Sequence, residues 1–104
     1  MRAAAVAEMP TKDQFAKQVD KSFRTSAPSG QEFEMSLTEF RAIADSETQE
    51  TFSLLFKAPA DAEPEQGTYT ISNPELGEQA IFLVPVDRND KGLYFEAVYN
   101  RFKE

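Results

Sequence analysis

The chain has 104 residues, 11 basic and 18 acidic side chains, hence a net charge of −7, and it contains no His, Cys or Trp. That length suits one domain rather than two, the missing Cys removes disulfides and thiolate zinc sites, and the missing His removes the Ser-His-Asp triad and the HExxH zinc site. The acidic balance disfavours DNA, RNA and anionic lipid as partners, and Lys and Arg never stand side by side, so no basic run offsets it.

Ala3-Ala4-Ala5-Val6-Ala7 follows Arg2 but is ended by Glu8, too short for the apolar core of a signal peptide. Residues 1–10 are expected to form a poorly ordered lead and residues 11–104 a single globular domain. No apolar stretch approaches the ~20 residues of a membrane span, so no membrane is expected, and with no signal peptide the cytosol is the expected compartment.

Thr11-Lys12-Asp13-Gln14 reads as a capping box, with Pro10 and Phe15 at the staple positions. Phe15 and Val19 share a face, which predicts a short helix from Lys12 to Asp20 that must dock to survive. Ser22 to Ser26 reads as a weak strand, and Pro28-Ser29-Gly30 as a turn. Gln31 to Leu37 alternates, with Phe33, Met35 and Leu37 on one side, as a half-buried strand does. Phe40 falls on the wrong parity, so a bulge or a bend is expected at Thr38-Glu39; Arg41 to Ala44 fits either a continued strand or a helical turn. Asp45 to Glu50 reads as an acidic loop.

Thr51 to Lys57 predicts a strand with Phe52, Leu54 and Phe56 inward and Ser53 on the outer side. Ala58 to Gln66 reads as an irregular loop. Gly67 to Ser72 predicts a strand with Tyr69 and Ile71 inward. Asn73-Pro74-Glu75-Leu76-Gly77 is a turn, with Gly77 free to take positive φ. Ala80 to Val84 is apolar on both faces, which predicts a strand covered on both sides, with Phe82 in the core beside Phe52 and Phe56. Pro85 marks a bulge or the point where the strand becomes an edge. Asp87 to Gly92 reads as a hairpin loop. Leu93 to Phe102 is the last strand, with Leu93, Phe95, Ala97 and Tyr99 toward the core.

This order predicts an α+β, mainly β fold: a short N-terminal helix followed by about six antiparallel strands in a bent sheet or small barrel, the helix covering an open end.

Few residues carry chemistry. Asp87, Asn89 and Gly92 match positions 1, 3 and 6 of a calcium loop, but Lys91 stands at position 5 and Val98 at position 12, so turn chemistry is the better reading. Glu75, Glu78 and Glu96 could supply paired carboxylates, but such catalysis needs a deep cleft that this chain has little volume to build. Ser53 and Tyr69 have no neighbouring base, and Gly67 and Gly77 are isolated rather than part of a phosphate cradle. No catalytic, cofactor or metal site is expected. Tyr94, Val98 and Phe102 share the second face of the last strand beside Glu96 and Asn100. Tyr94, Val98, Asn100 and Phe102 are therefore the candidate partner or ligand contacts. The competing reading has that face covered by the helix or a barrel wall.

Phe52-Ser53-Leu54-Leu55-Phe56, Gln66-Gly67-Thr68-Tyr69, Asn73-Pro74-Glu75-Leu76-Gly77, Phe82-Leu83-Val84-Pro85-Val86 and Tyr94-Phe95-Glu96-Ala97-Val98-Tyr99-Asn100 occur in that order. The set resembles a family of small bacterial domains of unknown function, over about Phe15 to Asn100. In that family a His often precedes the Pro-Glu-Leu-Gly turn; here Asn73 stands there, so no role of that His transfers. Members are met near genes for phage-tail-collar-like proteins, which implies an accessory part of a tail-like particle. No catalytic residue carries over. The expectation is a non-enzymatic structural or protein-interaction module whose partner has a basic face, with self-association through an open edge strand left open. The alternative is a small-ligand or carbohydrate binder using Tyr94, Tyr99 and Phe102 as stacking platforms.

Overall fold

The protein is described by a computed structural model over residues 12–102, with side chains described as far as Asn100. The capping Thr11, the staple residue Pro10 and the lead before them lie outside the described residues. One helix, α1 (Lys12–Ala16), precedes six strands: β1 (Ser22–Ser26), β2 (Glu32–Asp45), β3 (Gln49–Ala58), β4 (Gly67–Asn73), β5 (Gly77–Asn89) and β6 (Gly92–Phe102). All neighbours are antiparallel, and they close into a barrel in the order β1-β2-β3-β6-β5-β4. The mainly β fold is thus as the alternation predicts, and of the two forms left open, a bent sheet or a small barrel, the strands take the barrel.

The core is the inward parity of each strand. Phe23, Met35, Leu37, Phe52, Leu54, Phe56, Tyr69, Ile71, Ile81, Leu83 and Phe95 are all buried. Ring pairs join the strands inside the barrel: Phe23 with Phe56 across β2 at 5.7 Å, Tyr69 with Phe95 across β5 at 5.2 Å, and Phe52 with its direct cross-strand neighbour Tyr99 at 5.2 Å. These edge-on and tilted contacts add to burial itself.

Strand β2 serves two neighbours. Its first half pairs with β1 and its second half with β3, with register shifts between Leu37 and Glu39 and between Ala42 and Ala44. The first shift is the bulge that the parity of Phe40 calls for, and it turns Phe40 inward to stack on Phe52 at 5.4 Å. Arg41 to Ala44 continues the strand, and the expected acidic loop shrinks to three residues because both flanking strands reach into it.

The helix is shorter than its periodicity suggests. After Ala16 the backbone tightens, with Gln18 N–H donating to the Phe15 carbonyl, and Asp20 at φ 73° swings the chain into β1. Asp is among the few residues that tolerate this conformation. The helix does close one end of the barrel: Phe15 is fully buried, 5.9 Å from the Phe52 ring and 5.2 Å from Tyr99.

Strand β5 departs from expectation in one respect. Ile81 and Leu83 are buried, but Phe82 is 52% exposed. The run that reads as covered on both sides is covered on one, because nothing among the described residues packs on the outer wall. Pro85 fulfils both of its readings. A register shift lies between Pro85 and Asp87, and the pairing of β5 with β6 ends at Val84–Glu96. Beyond that pair, among the described residues, β5 pairs only with β4 and β6 only with β3.

Candidate functional site

Two features stand out on this frame: an apolar outer face on β5 and β6, and a polar cleft where the segment after α1 meets the β4–β5 turn.

The outer face follows from strand parity. With Phe95, Ala97 and Tyr99 inward, Tyr94, Glu96, Val98 and Asn100 must point out. Val98 is 58% exposed, so the face of β6 is open rather than covered. Tyr94 is half-buried. Asn100 is exposed, and its Oδ1 accepts from Gln49 Nε2 at 2.5 Å and from Thr51 Oγ1 at 3.2 Å. The side chain of Phe102 lies outside the described residues. Tyr99, expected as a stacking platform for a ligand, belongs to the core, because Phe15 seals the barrel end against it.

Residues not predicted for this face complete it. Phe82 on β5 stands two residues beyond Val84, as Val98 stands two residues beyond Glu96, so both flank the point where β5 and β6 diverge. Val86, 49% exposed, lies at the β5 bulge; Ile43, 55% exposed at the second β2 bulge, stands apart from this face, with β3 between β2 and β6. The available signal for Phe82 was the inward parity of Ile81 and Leu83.

The polar cleft has a volume of about 240 Å3 and is lined by Gln18, Lys21, Ser22, Asn73, Pro74 and Glu75. Gln18 is its centre and only 3% exposed. Its Nε2 donates to Glu75 Oε1 at 2.6 Å, and its Oε1 accepts from Asn73 Nδ2 at 2.7 Å. Asn73 Oδ1 in turn accepts the Leu76 N–H at 2.8 Å, closing the turn. The Gln18 amide and then Lys21, 4.0 Å away, hold the Glu75 carboxyl below its usual range. Both polar atoms of the buried Gln18 amide are therefore used, and the cluster fastens the segment after α1 to the turn. Sequence periodicity could not show this, since Gln18 and Asn73 are 55 residues apart.

The remaining candidates resolve into structure. Asn89 Oδ1 accepts the N–H groups of Lys91 and Gly92, and the expected Asp87–Gly92 loop shrinks to the two-residue turn Asp90-Lys91, because Asp87 to Asn89 pair with β6 as strand. Ser53 is outward but only 6% exposed, a small side chain between Arg41 of β2 and Val98 of β6. Tyr69 donates its hydroxyl to the Glu65 carbonyl; burial first, then the charges of Glu65 and Glu63, pushes its phenol up to about 12. Glu78 is exposed and Glu96 half-buried. Among the described residues there is no group of three His, Cys, Asp or Glu side chains able to hold a metal, and no helix long and apolar enough to cross a membrane.

The outer wall thus carries exposed apolar side chains and the barrel interior carries packing. Residues 10–99 match the family described as Domain of unknown function (DUF6916), and the chain belongs to that family. No curated protein and no solved structure matches the chain.

Proposed function

We propose that this domain is a non-enzymatic protein-interaction module that uses the outer face of β5 and β6. The observation that carries the reading is the pair of exposed apolar side chains, Phe82 and Val98, flanking the point where the two strands diverge. Apolar groups rimmed by polar ones on an otherwise acidic surface suit a protein contact. The net charge of −7 favours a partner with a basic face, bound less tightly as salt rises. The resemblance of the motif residues to domains met near tail-collar-like genes supports a finer reading, an accessory component of a bacterial phage-tail-like assembly put together in the cytosol.

The test is capture of partners from native lysate by the wild-type domain and by Phe82→Ser, in low and moderate salt, with mass spectrometry of the bound proteins. A stoichiometric partner lost in Phe82→Ser and weakened by salt is the expected result. Equal capture by both proteins overturns this face as the binding surface.

A further inference from the structure

We propose that the edge of β6 at Ala97–Asn100 accepts an extended segment of another protein, apolar in its middle and basic at its ends, as an added strand. This rests on the interaction reading above and specifies the partner's shape and chemistry.

The hairpin fixes which backbone groups are available. The two-residue loop Asp90-Lys91 makes its flanking residues, Asn89 and Gly92, a hydrogen-bonded pair. Gly92, Tyr94 and Glu96 therefore aim their N–H and C=O groups at β5, and the alternate residues aim theirs at β3. Continued along the strand, Val98 and Asn100 aim theirs to the side that β5 has left. Among the described residues no strand pairs with β6 on that side beyond Glu96.

Proteins blunt such edges with bulges, charges or proline. Among the described residues the second half of β2 also pairs with a strand on one side only, and it shows these devices: two register shifts, together with Glu39, Arg41 and Asp45. The β6 edge shows none. Ala97 to Asn100 contains no charge and no proline, and the ladder with β3 runs without a register shift.

Side chains beside the edge indicate the occupant. The outward residues of β5 here are Glu78, Ala80, Phe82 and Val84, and those of β6 are Tyr94, Glu96, Val98 and Asn100. The apolar members suit a strand whose outward side chains are apolar, and the carboxylates of Glu78 and Glu96 suit cationic flanks. No Lys or Arg occupies an outward position in these stretches. A second copy would bring its own −7 charge to this acidic face, which disfavours it as the occupant.

The probe is a synthetic peptide, Lys-Lys-Val-Thr-Val-Thr-Val-Lys-Lys, tested against wild type, Val98→Thr and Val98→Pro. Proline at this position removes an N–H on the free side and leaves the β3 ladder its donors. Expected are salt-weakened binding to wild type, binding a few-fold weaker to Val98→Thr, which keeps the N–H but loses an outward apolar contact, and binding about tenfold or more weaker again to Val98→Pro, since main-chain bonds supply affinity in strand addition. Hydrogen exchange on the wild type reads the same edge without a variant: the Val98 and Asn100 amides should exchange rapidly in the free protein and become protected with peptide. Four results overturn the proposal: no peptide binding, equal binding to Val98→Pro, both amides protected in dilute free protein because the chain covers its own edge, or a mass that doubles with concentration because a second copy does. If the peptide arm fails while lysate capture still depends on Phe82, the interaction face stands and strand addition falls. If neither depends on these residues, both readings fall.

Discussion

Phe52, Phe56 and Phe82 look alike in sequence, each an aromatic in an apolar run, and the barrel separates them. Phe52 and Phe56 are fully buried, whereas Phe82 is about half exposed. Truncating a buried ring loses its transfer free energy and leaves a cavity. Phe52→Ala and Phe56→Ala should each cost about 3–5 kcal/mol in urea denaturation, and Phe82→Ala about 1 kcal/mol, since half its ring is already exposed and Ala is the poorer strand former. A Phe82→Ala loss matching that of Phe56→Ala would show the outer wall to be covered. Gln18 is the polar counterpart. Gln18→Leu takes its acceptor from the half-buried Asn73 Nδ2, while the exposed Glu75 carboxylate turns to water, at a cost of about 0.5–1.5 kcal/mol. Hydrogen exchange should accelerate in α1 and the β4–β5 turn first, with the β3–β6 ladder last to respond.

At the level of elements, the departures from regular strand geometry are what bend the sheet into a barrel. Bulges raise the local twist and turn the strand, and they fall at Leu37/Glu39, Ala42/Ala44 and Pro85/Asp87. Two of these were legible: Phe40 broke the alternation, and Pro85 cannot donate to a ladder. The bulge at Ala42/Ala44 was not, because Ala carries almost no parity signal. Two glycines set turns for different reasons. Gly77 sits at φ 72° with open space around its Cα, so Gly77→Ala carries only the left-handed backbone penalty, about 1–2 kcal/mol. Gly92 is crowded instead, and an added Cβ would lie 2.6 Å from the Ala58 carbonyl oxygen. Gly92→Ala should therefore cost more than Gly77→Ala in the same denaturation assay, and the reverse order would show that the β3 terminus yields easily.

For the whole molecule, titration should act at the extremes of pH. With no His or Cys in the chain, no side chain of ordinary pKa changes charge around neutrality, and stability should be level there. Tyr69 is raised from 10.0 to about 12, and burial raises Tyr99 in the same direction. Above about pH 10 the unfolded chain loses phenolic protons that the folded barrel keeps, so the unfolded state binds fewer protons and stability falls as pH rises. Thermal melts followed by circular dichroism should show this decline, with phenolate absorbance appearing together with unfolding. Phenolate formation at these two rings in a barrel that remains folded would contradict it.

Strand order along the chain, inward parity, the turn at Gly77 and the bulge near Thr38 were readable from residue types, because alternation, glycine and proline act over a few neighbours. Closure of the barrel, the exposure of Phe82, the Gln18–Asn73–Glu75 cluster and the free edge of β6 were not. Each depends on which distant segment, if any, arrives beside it. A local pattern states that a side chain can be buried or a backbone group bonded. Only the path of the other strands decides whether a partner is there.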